Sequence, residues 1–139
     1  MFEKRKVAAG ELAVGYEFPT ASYRLEPETV ALYLKAVGAG GGLYRDGKLV
    51  PPTAIAAYAM ATLADNMALP EGTIHTHQAL EFKKTVPVGE TITCCARVSR
   101  NQARGKFHFL NIDLDVLDSG QHPVLAGKTA FILPWAGDL

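Results

Sequence analysis

The stretch PPTAIAAYAMATLADNMALPEG, residues 51 to 72, constrains the fold more than any other part of the chain. It opens on two prolines, as a helix start can, and closes before Pro70 and Gly72. Between them Ala54, Ala56, Ala57, Ala59, Ala61 and Ala64 fall on every side, with Ile55, Tyr58, Met60, Leu63 and Met67 filling in. A helix apolar nearly all round has no face for water, so the pattern predicts burial. Small residues on most sides let another layer come close, which is what a helix wrapped by a curved sheet requires.

The sequence supplies such a sheet. TITCCARVSR (residues 91 to 100) sets Ile92, Cys94, Ala96 and Val98 against Thr93, Cys95, Arg97 and Ser99. KFHFLNIDLDVLD sets His108, Leu110, Ile112, Leu114 and Val116 against Phe109, Asn111, Asp113 and Asp115. IHTHQALEFKKTV and VLAGKTAFILP read as further strands, and PVGE, NQARG and DSGQHP as the polar connections. Consecutive strands joined this way predict an antiparallel meander. Upstream, VGYEFPTASYRL holds one or two short strands. EPETVALYLKAVG is a first helix: Pro27 suits its first turn, Gly38 its stop, and Val30, Tyr33, Leu34 and Val37 share one face. The class is therefore α+β, one domain over residues 1–139, with a curved antiparallel sheet around a long central helix.

Charge narrows the partners. Fourteen Lys and Arg balance fourteen Asp and Glu, so no basic field exists to hold nucleic acid. The longest apolar stretch, around residues 54 to 64, is too short to span a bilayer. The N-terminus, MFEKRKVAAGELAVG, has no apolar run behind its charged start, so no signal peptide is expected. Cys94 and Cys95 are adjacent and would point to opposite faces of a strand, which rules out a disulfide framework and fits a reducing, cytoplasmic setting.

The order helix, loop, buried helix, strand meander resembles the hotdog fold, and within it the MaoC-like, (R)-specific enoyl-thioester hydratase and dehydratase family. The similarity covers nearly the whole chain. LEFKKTVPVGETIT, with Gly89, Glu90 and Thr91, is similar to that family's approach to a strand. RDGKLVPPTAIAAYAMATL is similar to the entry to its central helix, and HPVLAGKTAFILP to its closing strand.

The resemblance also says where chemistry belongs. In these hydratases an Ala-x-Gly precedes an Asp, then an Asn, a Pro, an apolar residue and a His. Laid on AVGAGGGLYRDG without gaps, the Asp position is Ala39, the Asn and Pro positions are Gly41 and Gly42, the apolar one is Leu43 and the His position is Tyr44. Adding water to an enoyl thioester needs one group to take a proton and another to give one. Alanine does neither, and an unperturbed tyrosine titrates near 10, so Tyr44 is a poor base at neutral pH. It can still donate a hydrogen bond. Gly41 and Gly42 would leave backbone N–H groups open to a thioester oxygen. The LYRDG ending resembles the degenerate half of double-hotdog dehydratases and the separate subunits that pair with a catalytic one. The resemblance therefore implies an acyl-coenzyme A or acyl-carrier-protein ligand, no cofactor, and a homodimer or a heterodimer with a catalytic hotdog subunit. The two sheets would join edge to edge. Tyr44 and His75 are the candidate catalytic pair, and Gly41, Gly42, Tyr44, Pro52, Thr53 and His77 the candidate binding residues.

Two further readings remain open. Asp65, in the central helix, or Glu81, beside Phe82, with His75 or His77 would suit a thioesterase. A third reading is a non-enzymatic acyl or small-ligand binding protein. His75 and His77, spaced to share one face of a strand, are also a possible metal pair, but no third ligand follows at an obvious spacing, and no metal is expected. His108 reads as a core or interface histidine, and the cysteines as small hydrophobes.

Overall fold

The computed structural model describes residues 6–8, 11–39 and 41–134. In chain order the elements are β1 (Val7–Ala8), β2 (Ala21–Arg24), α1 (Pro27–Val37), α2 (Pro52–Asn66), β3 (Met67–Ala68), β4 (Ile74–Phe82), β5 (Thr91–Arg104), β6 (Phe107–Leu117) and β7 (Pro123–Pro134). Five strands form one antiparallel sheet in the order β2-β5-β6-β7-β4, and β1 pairs with β3 in a small parallel ribbon.

The alternation read from the sequence is the alternation that folds. Ile92, Cys94, Ala96 and Val98 of β5, and Leu110, Ile112, Leu114 and Val116 of β6, are all buried, as are Leu125, Thr129, Phe131 and Leu133 of β7. They line the inner face, where Ile55, Ala59 and Leu63 of α2 pack. Each such Leu or Ile removed from water contributes about 1.5–3 kcal/mol, so these rows dominate the fold's stability.

Four expectations need correction. First, NQARG is not a loop. β5 runs through it to Arg104, and the turn is Gly105–Lys106 alone, because Asn101 to Ala103 pair with Leu110 to His108. Second, β4 does not lie beside β5. It pairs with β7 at the opposite edge, and residues 83–90 cross the end of the sheet, held by Lys83 N–H to the Val124 carbonyl and Val50 N–H to the Val86 carbonyl, both 2.8 Å. Third, α2 is not enclosed. The sheet covers one side and α1 part of another, which leaves Thr53, Ala57, Ala61, Ala64 and Asp65 exposed. Alanine satisfies helix propensity whether or not it is covered, so its presence on a face does not fix that face's burial. Fourth, Val37 is 54% exposed, so the buried face of α1 is Val30 and Leu34 with half-buried Tyr33.

Candidate functional site

The glycine loop does separate jobs at separate positions. Gly38 caps α1 in a left-handed conformation (φ 71°), with its N–H on the Lys35 carbonyl at 3.3 Å. Gly42 is also left-handed (φ 63°) and opens a single tight turn, Gly42–Tyr44, closed by Arg45 N–H to the Gly42 carbonyl at 3.2 Å. Gly41 has an ordinary φ of −113° and open space where a side chain would go.

That turn delivers Tyr44 to the amino end of α2. There Leu43, Tyr44, Leu49, Val50, Pro52 and Ile55 face Phe82 and residues 83–86 across a cleft of about 310 Å³. Tyr44 is half-buried against the core, and Pro52 lines the same cleft. Neither Pro51 nor Pro52 has an N–H, and the Ala54 amide already bonds the Pro51 carbonyl at 3.0 Å. The Thr53 amide is thus the first donor at this helix end. Its side chain is engaged, since Tyr33 Oη donates to Thr53 Oγ1 at 2.6 Å.

Among the described residues no carboxylate and no imidazole lines the cleft. Its two cations are already paired. Lys84 Nζ donates to Asp118 Oδ2 at 2.5 Å, and Lys83 Nζ lies 3.3 Å from exposed Glu81. Asp118 sits in the β6–β7 turn and also accepts from the amides of Gly120 and His122 at 3.0 and 2.9 Å. The Lys84 hydrogen bond, more than any other cause, holds its carboxyl far below the usual carboxylate range. This knot was not singled out in the sequence. The D-S-G turn signal marked the place, but nothing local named Lys84, 34 residues upstream, as its partner.

The other candidates lie elsewhere. Tyr44 and His75 do not meet within one chain, because Phe82 and His75 stand at opposite ends of β4, about 20 Å apart at strand spacing. His75 Nε2 bonds buried Thr129 Oγ1 at 2.7 Å, and its ring stacks on Phe131 with centroids 4.8 Å apart. His77 does not share that face. A bulge between the two histidines sets His75 opposite inward-facing Phe131 and His77 opposite Ala130, which alternates outward. The single extra residue breaks the two-residue period on which the shared-face reading rested. Asp65 and Glu81 are exposed, and neither lines the cleft. Among the described residues no hydrogen bond or ion pair joins them to His75 or His77, and no cluster of three His, Cys, Asp or Glu could hold a metal ion. Ala39 packs against the core. His108 is buried with Nδ1 2.8 Å from Asn101 Oδ1. Burial pushes the Cys94 thiol up to about 11 and raises that of Cys95, the opposite of nucleophile activation. No helix among the described residues is long and apolar enough to cross a membrane.

Known structures share this architecture. The R-hydratase PhaJ1 from Pseudomonas aeruginosa superposes with a TM-score of 0.73 at 17% identity, over 91% of this chain and 85% of that one. A MaoC-like dehydratase from Rhodospirillum rubrum gives 0.72 at 18%, over 92% and 97%. The HadBC (3R-hydroxyacyl-ACP dehydratase) complex from Mycobacterium tuberculosis gives 0.67 at 15%, over 86% and 96%. No curated protein matches by sequence. The fold is thus the hotdog fold, as the sequence resemblance implied. The family described as "FAS1-like, dehydratase domain region" matches residues 12–126, and the chain belongs to that family.

Proposed function

We propose that this chain is the acyl-holding member of a two-chain hydratase or dehydratase, with its own acid–base pair lost. The acyl thioester enters the cleft beside Tyr44. Its carbonyl oxygen faces the Thr53 amide and the glycine loop at the positive end of α2. The Tyr44 hydroxyl donates a hydrogen bond and takes no proton. The observation that carries this reading is the composition of the cleft wall, where apolar side chains and one phenol stand with two lysines that are already ion-paired. Such a site can hold and polarise a thioester, but it has no group that titrates near neutral pH to move protons.

The missing groups come from a second chain, either another copy or a related catalytic subunit. β4 supports this. It is a nine-residue edge strand with eight residues exposed and one acidic side chain, an open edge that a soluble domain normally covers. Antiparallel pairing along β4 sets the first residues of the second strand beside Phe82, at the mouth of the cleft. In a homodimer those residues include the second copy's His75.

Mass spectrometry of the purified chain with saturated and enoyl thioesters tests the reading. The enoyl species is expected to bind with no change in mass. A gain of one water that survives His75→Ala would overturn the proposal, and a gain that His75→Ala abolishes would assign the missing base to the second copy. Release of free thiol would instead favour a thioesterase working through Asp65 or Glu81.

A further inference from the structure

Charge is divided sharply along this neutral chain. Residues 91 to 112, all of β5 and the first half of β6, carry four cations and no acid, and the only acids of the β5–β6 hairpin, Asp113 and Asp115, follow in the half of β6 away from the turn. Three of the four, Arg100, Arg104 and Lys106, crowd the turn and are exposed. The Arg100 and Arg104 guanidiniums lie 5.5 and 5.8 Å from the centroid of the same ring, Phe109, which holds both planar forks in place on the outer face. Arg100 is fixed further by Gln102 Oε1 at 2.6 Å. Among the described residues none of the three cations forms an ion pair with a carboxylate. Beside them Phe107 and Ile74 are 49% and 58% exposed.

We propose that this hairpin end is a docking surface for an acidic protein, the carrier on which the acyl thioester arrives. The inference rests on the acyl-thioester reading above. Orphaned, pre-ordered guanidiniums match carboxylates. Exposed apolar side chains among them suit a protein surface better than a nucleotide or a polynucleotide. The position suits it as well. Within one chain the hairpin turn is at the opposite end of α2 from the Tyr44 cleft. Antiparallel pairing along β4 turns the second chain end for end, so the hairpin of one chain stands at the end where the other opens its cleft. The lateral separation from that chain's β4 is three to four strand spacings, about 14–19 Å. A carrier docked on one chain therefore feeds the site of the other.

The test presents one but-2-enoyl group on three handles: pantetheine, coenzyme A and an acyl carrier protein. The carrier-protein form is expected to bind more than about tenfold tighter than the pantetheine form at low salt, with coenzyme A close to pantetheine. That advantage should vanish in 0.5 M salt, about where screening erases exposed charge pairs. It should also vanish in R100E/R104E and shrink in R104Q, while pantetheine binding and the thermal midpoint stay unchanged. Equal binding of all three handles overturns the docking surface and leaves the thioester reading intact. An advantage that follows coenzyme A, or equally tight binding of an oligonucleotide, overturns it in favour of phosphate recognition. No binding of any handle removes both readings.

Discussion

The two ends of α2 are built for different purposes. At the carboxyl end the buried polar side chains, Thr62 and Asn66, are both hydrogen-bonded. Asn66 is buried and donates to the Thr62 carbonyl at 2.7 Å, and Thr62 Oγ1 joins the Tyr58 carbonyl to Tyr23 Oη, both at 2.9 Å. Leu63 and Met67 then pack with Leu12, Leu110 and Leu133. At the amino end two prolines remove donors, a glycine loop opens the backbone, and a cleft remains beside Tyr44. One end closes the core while the other leaves part of it reachable, which is how a small domain offers a site without losing its fold.

The largest expected effects test whether the ends are separable. Leu63→Ala and Ile55→Ala each delete a fully buried side chain and should each cost about 2–5 kcal/mol in denaturant unfolding. They should differ in binding. L63A keeps enoyl-thioester affinity among the molecules that remain folded, whereas I55A, which breaks the cleft wall, loses it several-fold. Equal losses of affinity would mean that the cleft and the closed end form one unit.

The ion pair that Lys84 of the cleft makes with Asp118 gives a pH signature. The Asp118 carboxyl has a depressed pKa, so its contribution to stability is present above the ordinary carboxylate range and is lost only as pH falls through the lower, folded-state value. D118N removes the charge that Lys84 meets. The gap in thermal midpoint between wild type and D118N should be constant from neutral pH down to about pH 4 and close only in stronger acid. A gap that already closes well above pH 4 would mean that the carboxyl is not held low by Lys84.

Much of this division was legible beforehand, and the reason is periodic burial. The inward rows of β5 and β6 could be read because each alternates without interruption across the stretch facing α2. The Gly38 cap and the prolines opening α2 carry local signals of the same kind. The misreadings occurred where one residue or one distant contact decides. A single extra residue in β4 put His75 and His77 on different faces, and no composition signal marks a bulge there. The placement of β4 beyond β7 depends on a crossing held by long-range backbone bonds. The cleft was half legible. Tyr44 and Pro52 were named from a resemblance and do line one cavity, but Phe82 and the Lys84–Asp118 knot come from segments far away in sequence.

At the closed end Thr62→Val leaves the Tyr23 hydroxyl without its partner in a half-buried place. The expected loss is about 2 kcal/mol, with binding unchanged. The variant would sharpen the comparison if its cost appears wholly in stability and not in affinity.

The smallest effects belong to the glycine loop, and they separate its conformational role from its role in access. Gly42 is left-handed and Gly41 is not, although a Cβ at either would meet nothing within 4 Å. Gly42→Ala should therefore cost about 1 kcal/mol through backbone strain alone, while Gly41→Ala should be neutral or slightly stabilising through the unfolded chain. Binding need not follow stability. A methyl group at residue 41 adds no strain, and if the thioester oxygen meets the glycine-loop backbone as proposed above, G41A should weaken enoyl-thioester binding while the thermal midpoint stays level. If G41A binds as wild type does, the glycine run exists to shape the turn that carries Tyr44, and access to the cleft runs instead along the Phe82 side.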